Sequence, residues 1–260
     1  MARTIHSSTD YAALQRCPVF PAAGGEAISL NSLWPAKPGN KCVVMFLTHF
    51  ADLSSTEFAQ KLLPVLPQLQ GAGIGVMAVG LGEPQKARRF AQLVGFPEQL
   101  LYADPTGALH TALGFERGFL PDSSISAYAK LVAMLAGVGS RGTIQEVLRG
   151  YIGDRSSPPV FSGERNLFDV LGKGYQRPFE LATLRLFNMQ LVLSHWFELA
   201  PDDEQLLTLQ GGCIAFYGQD VIFRHADSGI LKYANVKELL EAVLPGQDRF
   251  GETQVLQTLL

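Results

Sequence analysis

The chain has 260 residues, enough for one large α/β domain or for one domain with a sizeable insertion. Its net charge of -3 and pI near 6.0 provide no basic surface for neutralising phosphates, which excludes nucleic acid as an expected partner. Charged residues make up only 17% of the chain and apolar residues 47%, so either a large core or an apolar face for a protein partner, a second subunit or a membrane surface is expected.

The predicted elements begin with residues 1–16, a loosely attached arm or short helix. Residues 17–33 combine prolines and a Gly-Gly pair with a short alternating strand at 26–30, a pattern that predicts a β-hairpin at the sheet edge. The N-terminus has no apolar run of the signal-peptide kind, so we expect a cytoplasmic protein.

A strand-helix-strand unit over residues 41–80 organises the prediction. Its two strands, 42–47 and 74–79, are continuous apolar runs, as in a parallel sheet that is buried on both faces. Between them Ser54 and Glu57 fit an S-x-x-E capping box at a helix start. A right-handed crossover would make the two strands parallel and place the turn at residues 48–55 where open α/β sheets bind ligands.

The rest of the sheet follows from shorter patterns, with a helix that Gly95 ends, then a short strand, a hairpin and a closing helix. The predicted bounds are 84–94 for the helix, 100–103 for the strand, 205–216 and 221–225 for the hairpin, and 236–243 for the last helix, with a tail after Pro245. The first of these helices carries Lys86, Arg88 and Arg89, which we interpret as a solvated face or, alternatively, as a docking patch.

Residues 118–200 interrupt this pattern with helices at 125–135, 143–151 and 179–197. We interpret them as an all-helical insertion within a single domain that spans 1–260. The helices are rich in Leu, Met, Phe and Ala, more than one sheet face needs. They therefore either pack on each other and the sheet or form an interface or a pocket for an apolar ligand. The most apolar stretch, 181–199, includes Arg185 and His195 and predicts a buried or amphipathic helix rather than a membrane span.

Few side chains suggest chemistry. His49 and Asp52 lie in the turn, and Asp104 ends a later strand; they either form a small polar cluster or serve only to cap helices and bond to the backbone. Neither a cofactor nor a metal is expected from so few ligands on separate loops. The Gly80-Leu81-Gly82 sequence favours a tight turn over a phosphate site.

The three cysteines, Cys17, Cys42 and Cys213, are far apart and form no C-x-x-C or metal spacing. Cys42 and Cys213 fall in predicted strands, where a cysteine acts as a small apolar residue. Cys17 precedes a proline in a predicted turn and is the thiol most expected at the surface.

Several separated stretches resemble the peroxiredoxin-like AhpC/TSA group, also called the peroxiredoxin-like 2 family. The similar stretches cover residues 41–116 and 205–243 and include VVMFLTHFADLSSTEF, LLYADPTGALHTALGF and LQGGCIAFYGQDVIFRHAD. The resemblance implies a thioredoxin-like α/β fold with a central mixed sheet flanked by helices. It also implies an active-site turn with a C-x-x-C pair.

At the positions that match this pair the chain has Asp52 and Ser55, preceded by Thr48 and His49. Neither is a thiol, and a peroxidatic residue must be a thiolate at low pKa. We therefore expect a redox-silent protein that binds a protein partner through its helical insertion, as an assembly scaffold. The alternative is an antioxidant oxidoreductase that uses Cys213, Cys42 or Cys17. The resemblance also suggests a membrane-associated or photosynthetic complex as the partner, and it is compatible with a homodimer.

Overall fold

A six-stranded mixed sheet forms the centre of the computed structural model, which describes residues 8–34, 37, 39–161 and 166–244. The strands are β1 (Phe20–Pro21), β2 (Lys41–His49), β3 (Gly75–Leu81), β4 (Leu101–Asp104), β5 (Gly212–Tyr217) and β6 (Asp220–Ala226). Their spatial order is β1-β4-β3-β2-β5-β6. β2 pairs in parallel with β3 and antiparallel with β5, which confirms the predicted unit and its orientation.

Helices cover both faces of the sheet. They are α1 (Ser8–Arg16), α2 (Leu53–Leu62), α3 (Leu66–Gly71), α4 (Pro84–Val94), α5 (Ala108–Ala112), α6 (Ala127–Leu135), α7 (Thr143–Ile152), α8 (Glu180–Ser194), α9 (Trp196–Leu199) and α10 (Val236–Val243). Alternate residues of β2 point to opposite faces, where α2, α3, α4 and α10 build one core and α1 and α5 the other. The mixed, helix-flanked sheet confirms the predicted fold class.

Gly80 of β3 has no room for a side chain, because Phe50 packs against its backbone. A Cβ atom on Gly80 would lie 2.3 Å from the Phe50 ring, nearer than two carbons can approach. Phe50 is fully buried and packs on Phe90 of α4, with ring centroids 5.6 Å apart. The predicted tight turn at Gly80-Leu81-Gly82 is wrong for its first two residues, because Gly80 and Leu81 belong to β3, where Phe50 packs against the Gly80 backbone.

Three predicted elements differ from the structure. Residues 17–33 form no hairpin; only Phe20–Pro21 is a strand, it pairs with β4, and Val19 and Ile28 form an isolated bridge. The first strand of the C-terminal hairpin begins at Gly212, because the residues before it form the 3-10 turn Glu204–Thr208. The predicted long helix is divided into α8 and α9 at His195.

The helical segment 118–200 contains α6 to α9 and the 3-10 turn Leu167–Leu171, with one isolated bridge between Asp154 and Gln176. Within the described ranges, no helix is both long and apolar enough to cross a bilayer. The proposed tail after Pro245 and the first residues of the arm lie outside the described part of the chain.

Candidate functional site

The turn after β2 starts α2 through a different cap from the predicted one. Asp52 is the N-cap residue, and its carboxylate accepts hydrogen bonds from the Ser55 backbone N–H at 2.7 Å and from the Ser54 hydroxyl. The predicted Ser54-Glu57 capping box is therefore wrong. Asp52 stands one position before the helix, where its carboxylate satisfies an otherwise unpaired N–H group.

The second matched position, Ser55, is buried and has a neutral partner. Its hydroxyl lies 2.8 Å from the Thr48 hydroxyl, and both side chains are shielded from solvent. They line a shallow recess together with Asp227 and Lys232. A serine nucleophile needs an adjacent base, and the Thr48 hydroxyl is not one.

His49 is sealed inside the turn. The Trp196 ring packs edge-on against the imidazole at a centroid distance of 6.0 Å, and His49 is only 2% exposed. Burial lowers the pKa of His49, while the charge of Asp52 and a hydrogen bond with the Leu207 backbone oppose the shift. Its Nδ1 has no hydrogen-bond partner among the described residues. A buried neutral imidazole under a tryptophan has no access to a soluble substrate.

Asp104 serves a separate network rather than the predicted cluster with His49 and Asp52. Its carboxylate accepts the backbone N–H groups of Ala108, Leu109 and His110 at the start of α5, and His110 Nδ1 lies 3.0 Å from it. Burial alone would raise the pKa of Asp104, but the hydrogen bonds and charge of His110 outweigh it and the pKa is lowered. Among the described residues, no group of His, Cys, Asp and Glu side chains could hold a metal ion.

His110 is a buried polar residue that sequence reasoning missed. Its Nε2 lies 2.9 Å from the Leu47 carbonyl of β2, so its ring connects the ends of β2 and β4. An aspartate at a strand end followed six residues later by a histidine is a weak signal, and only the fold reveals their contact.

Asp227 is a second missed residue, at the floor of the recess. It is 5% exposed, and burial raises its pKa to about 6, although His225, with Nε2 3.1 Å from Asp227 Oδ1, opposes the shift. The charge of Asp52 adds to the rise. Two carboxylates therefore face the start of α2, an arrangement that disfavours a thiolate or any other anion there.

The three thiols are poor candidates for the missing nucleophile. Cys42 and Cys213 are completely buried in β2 and β5, and burial raises the pKa of both. Cys17 is half-buried, and burial followed by the charge of Asp104 raises its pKa as well. Reactive cysteines need the opposite shift.

A buried ion pair attaches the helical segment to α2, the helix that follows the turn. Glu57 of α2 is fully buried; it receives Arg185 Nε of α8 at 2.9 Å and the Tyr233 hydroxyl. Arg185 also donates to the Glu146 carbonyl of α7 at 2.6 Å. The residue predicted to close the capping box thus fixes α8 over α2.

The basic set on α4 also holds this segment, contrary to its interpretation as a solvated face. Lys86 binds the Ala200 carbonyl and Asp202, and Arg89 binds Glu198 of α9. Arg88 instead pairs with Glu98 at 3.0 Å. These engaged side chains do not form a free docking patch.

The outer surface of the segment is apolar. All but two of the exposed large apolar side chains among the described residues lie in it; the exceptions are Leu33 and Tyr217. On α8 the buried positions include Arg185 and Asn188, and the exposed positions are Leu186, Phe187, Met189, Gln190, Leu193 and Ser194. This helix is inverted relative to a normal surface helix, which turns its charges outward.

The chain was compared with known proteins. A family model described as AhpC/TSA antioxidant enzyme matches residues 61–229, a stretch that begins after Asp52 and Ser55. A solved structure of the Xanthomonas campestris bacterioferritin comigratory protein is 20% identical, with a TM-score of 0.36, and the match covers 45% of this chain and 68% of that one. A cysteine-to-serine mutant of Xanthomonas campestris peroxiredoxin Q is 21% identical, with a TM-score of 0.35 and coverage of 44% and 67%.

No match was found among curated proteins. The family model, however, spans more than half of the chain and extends from α2 to β6 and the loop after it. The chain therefore belongs to the AhpC/TSA antioxidant enzyme family, and its mixed sheet has the thioredoxin-like fold of peroxiredoxins.

Proposed function

We propose that this protein is a redox-silent member of its family and acts in the cytoplasm as a binding or assembly scaffold, with the helical segment 118–200 as its docking surface. The observation that carries the proposal is the inverted helix α8, which buries Arg185 and Asn188 and exposes Leu186, Phe187 and Leu193. Exposed apolar patches of this kind mark surfaces that bind a partner.

The loss of redox chemistry is supported by the roles of the two matched residues. Asp52 and Ser55 are engaged in starting α2 and in bonding to Thr48. A carboxylate and a hydroxyl cannot pass through the sulfenic acid and disulfide states of a peroxidatic thiol. Trp196 and the inward side of the segment close the site further.

The chemistry of the exposed face indicates the kind of partner. The described positions on the outside of α6, α7 and α8 carry no charged side chain apart from the half-buried Arg149 and Glu146, which pair with each other at 2.8 Å. The exposed apolar members of α6 and α7 are Tyr128, Val132, Leu135, Ile144, Leu148, Tyr151 and Ile152. A matching partner therefore offers an uncharged apolar protein surface, such as the apolar stripe of a helix.

Capture of partners from the native host tests the proposal. We expect tagged wild-type protein to retain a defined partner after chemical crosslinking, and Leu186→Gln with Leu193→Gln to lose most of it. Leu33→Gln, an exposed apolar position outside the segment, is the matched control and keeps the partner. The scaffold role is wrong if the α8 variant retains everything that the wild type retains.

The family also supports a second function, a thiol-dependent antioxidant oxidoreductase that uses a non-standard cysteine. Cys17 favours it most, because it is the only one of the three described thiols that is not buried. Iodoacetamide alkylation between pH 6 and 10 measures its pKa: a midpoint well below the ordinary value of about 8.5 would support this function. A midpoint above that value supports the scaffold.

A further inference from the structure

A compact cluster at one end of the helical segment has apolar side chains on its outside. We call it the tip; it consists of Ile152, Arg155, Leu167, Val170, Leu171, Lys173 and Phe179. Leu167 is 92% exposed and Val170 is 89% exposed. Such exposure means that these side chains protrude from the surface and do not line a groove.

A buried arginine holds the tip in shape. Arg177 is 2% exposed and donates to the carboxylates of Asp169 and Glu180 and, at 2.9 Å, to the Phe161 carbonyl. Phe168 stacks on Phe161 with ring centroids 5.8 Å apart. Phe168 and Asp169 of the 3-10 turn therefore face inward.

The same turn presents its remaining side chains to solvent. Leu167 and Val170 lie three residues apart, a spacing that places them on one side of a 3-10 turn, and Leu171 beside them is 48% exposed. The Tyr175 hydroxyl donates to the Leu171 carbonyl, and Phe179 packs edge-on against Tyr151 at 6.0 Å. The hydrogen bonds of Arg177 and Tyr175 and the packing of Phe179 thus fix the shape of the tip.

The exposed charged side chains of the tip are cations, Arg155 and Lys173, while its acidic side chains are partly buried and have partners. Asp154 accepts hydrogen bonds from Ser156 and Ser157, which lower its pKa to about 2, and Asp169 is bound to Arg177. Arg155 is exposed and lies over the Tyr175 ring at 5.7 Å. Neither Arg155 nor Lys173 has a carboxylate within ion-pair distance in the described ranges.

We propose that the tip docks on the surface of an anionic lipid bilayer, with Leu167, Val170 and Leu171 inserted among the acyl chains and Arg155 and Lys173 at the headgroups. Protruding apolar side chains beside exposed cations that have no carboxylate partner among the described residues are the pattern of a peripheral membrane contact. A fluid bilayer accommodates a convex surface, whereas a protein partner needs a separate pocket for each protruding side chain. A second copy of the chain would bring the two cations against their own counterparts, which repel.

This inference goes beyond the scaffold function; the two surfaces share Ile152, but the residues proposed to contact the bilayer, which are Leu167, Val170, Leu171, Arg155 and Lys173, lie outside α6, α7 and α8. The partner face is the outside of α6, α7 and α8, while the lipid contact is limited to the tip. A variant of one surface therefore leaves the other intact, and the two proposals fail separately.

Flotation of the full-length protein with vesicles tests the tip. We expect it to float with vesicles of equal parts phosphatidylglycerol and phosphatidylcholine, and to bind pure phosphatidylcholine at least about tenfold more weakly. Leu167→Ser with Val170→Ser should reduce binding to the anionic vesicles about tenfold or more. Arg155→Gln and Lys173→Gln should each reduce it about fivefold. These positions are exposed, so the variants are expected to fold, and circular dichroism checks this.

Leu186→Gln with Leu193→Gln and the exposed Lys237→Gln are the matched controls and should float like the wild type. The inference is overturned if the wild type does not float, if the tip variants float equally well, or if the α8 variant loses the same binding. It is also overturned if the tip variants instead convert a dimer to a monomer in light scattering, since the tip would then contact a second copy.

Discussion

The turn at residues 48–55 and the helical segment 118–200 differ in what they bury. The turn conceals polar side chains, among them His49, Ser54 and Ser55, and the segment exposes apolar ones such as Leu193 and Phe197. In a working active-site turn the reactive polar group is exposed, because it must contact the substrate. This difference is what we expect of the proposed function, in which the family's redox chemistry is lost at the turn and the helical segment binds a partner.

One contact makes the two regions interdependent. The Glu57–Arg185 pair joins the helix that the turn starts to the helix that carries the apolar face. A charged pair positions α8 with its apolar side outward, because an arginine that must reach a buried carboxylate fixes the rotation of its helix.

The largest effect is expected from Arg185→Met, which leaves the Glu57 carboxylate buried without its guanidinium partner. We expect a loss of about 3–5 kcal/mol in the free energy of unfolding, measured by urea denaturation. Adding Glu57→Gln to Arg185→Met should recover a large part of the loss, because the buried charge is then gone. Lys237→Met, whose partner Glu241 lies 4.0 Å away at the surface, is the control and should change stability by less than about 1 kcal/mol.

Asp227 should make stability depend on pH in an unusual direction. Burial raises its pKa from 3.8 to about 6, so between these values the folded protein holds a proton that the unfolded chain has lost. The wild type should therefore lose about 2 kcal/mol of stability relative to Asp227→Asn as the pH rises from 4 to 6, and less than about 0.5 kcal/mol above that. The urea midpoints of both proteins across this pH range measure the stability difference. If the midpoints of the two proteins change with pH in the same way, the raised pKa of Asp227 is contradicted.

Removal of the tryptophan cover should expose the turn. Trp196→Ala is expected to cost about 2 kcal/mol, less than a fully buried tryptophan, because Trp196 is half-buried. Burial lowers the pKa of His49 below its usual 6.5, and NMR titration of the ring should show the midpoint moving back toward 6.5 in the variant. Phe197→Ala is the control on the same helix, since Phe197 is 91% exposed and does not touch the turn. If His49 titrates with the same midpoint in both variants, Trp196 does not shield it from solvent.

The smallest effect concerns the helix cap. Asp52→Ala should reduce the free energy of unfolding by about 1 kcal/mol, because the Ser55 N–H loses its acceptor. Asp52→Asn retains a capping oxygen and should cost less in the same thermal or urea experiment. If Asp52→Ala is neutral for stability but changes an activity, the residue has a role beyond capping.

The fold could be predicted from local patterns where those patterns agreed with the final packing. The apolar runs of β2 and β3, the Pro84 start and Gly95 end of α4, and the amphipathic α10 are all set by nearby residues. The Ser54-Glu57 spacing fits a capping box, but the prediction was wrong because Glu57 pairs with Arg185, 128 residues later in the chain. A local pattern contains no information about such a partner.

The candidate site was only partly predictable for the same reason. Asp52 and Ser55 could be identified as non-thiol residues by matching a motif, since motif positions are read along the chain. Trp196, Asp227 and His110 reach the turn or its neighbouring strand ends through the sheet order and the path of the helical segment. The orientation of the apolar side of α8 also depends on the pairing of Arg185 with Glu57, which the local sequence does not predict.

The most direct test of the central claim is peroxide turnover with a dithiol donor, measured for the wild type and for the variant Cys17→Ser, Cys42→Ser, Cys213→Ser. A redox-silent protein shows the same background rate in both, and the variant keeps its crosslinked partner. Turnover by the wild type that is clearly above that of the cysteine-free variant would contradict the account and restore the antioxidant function.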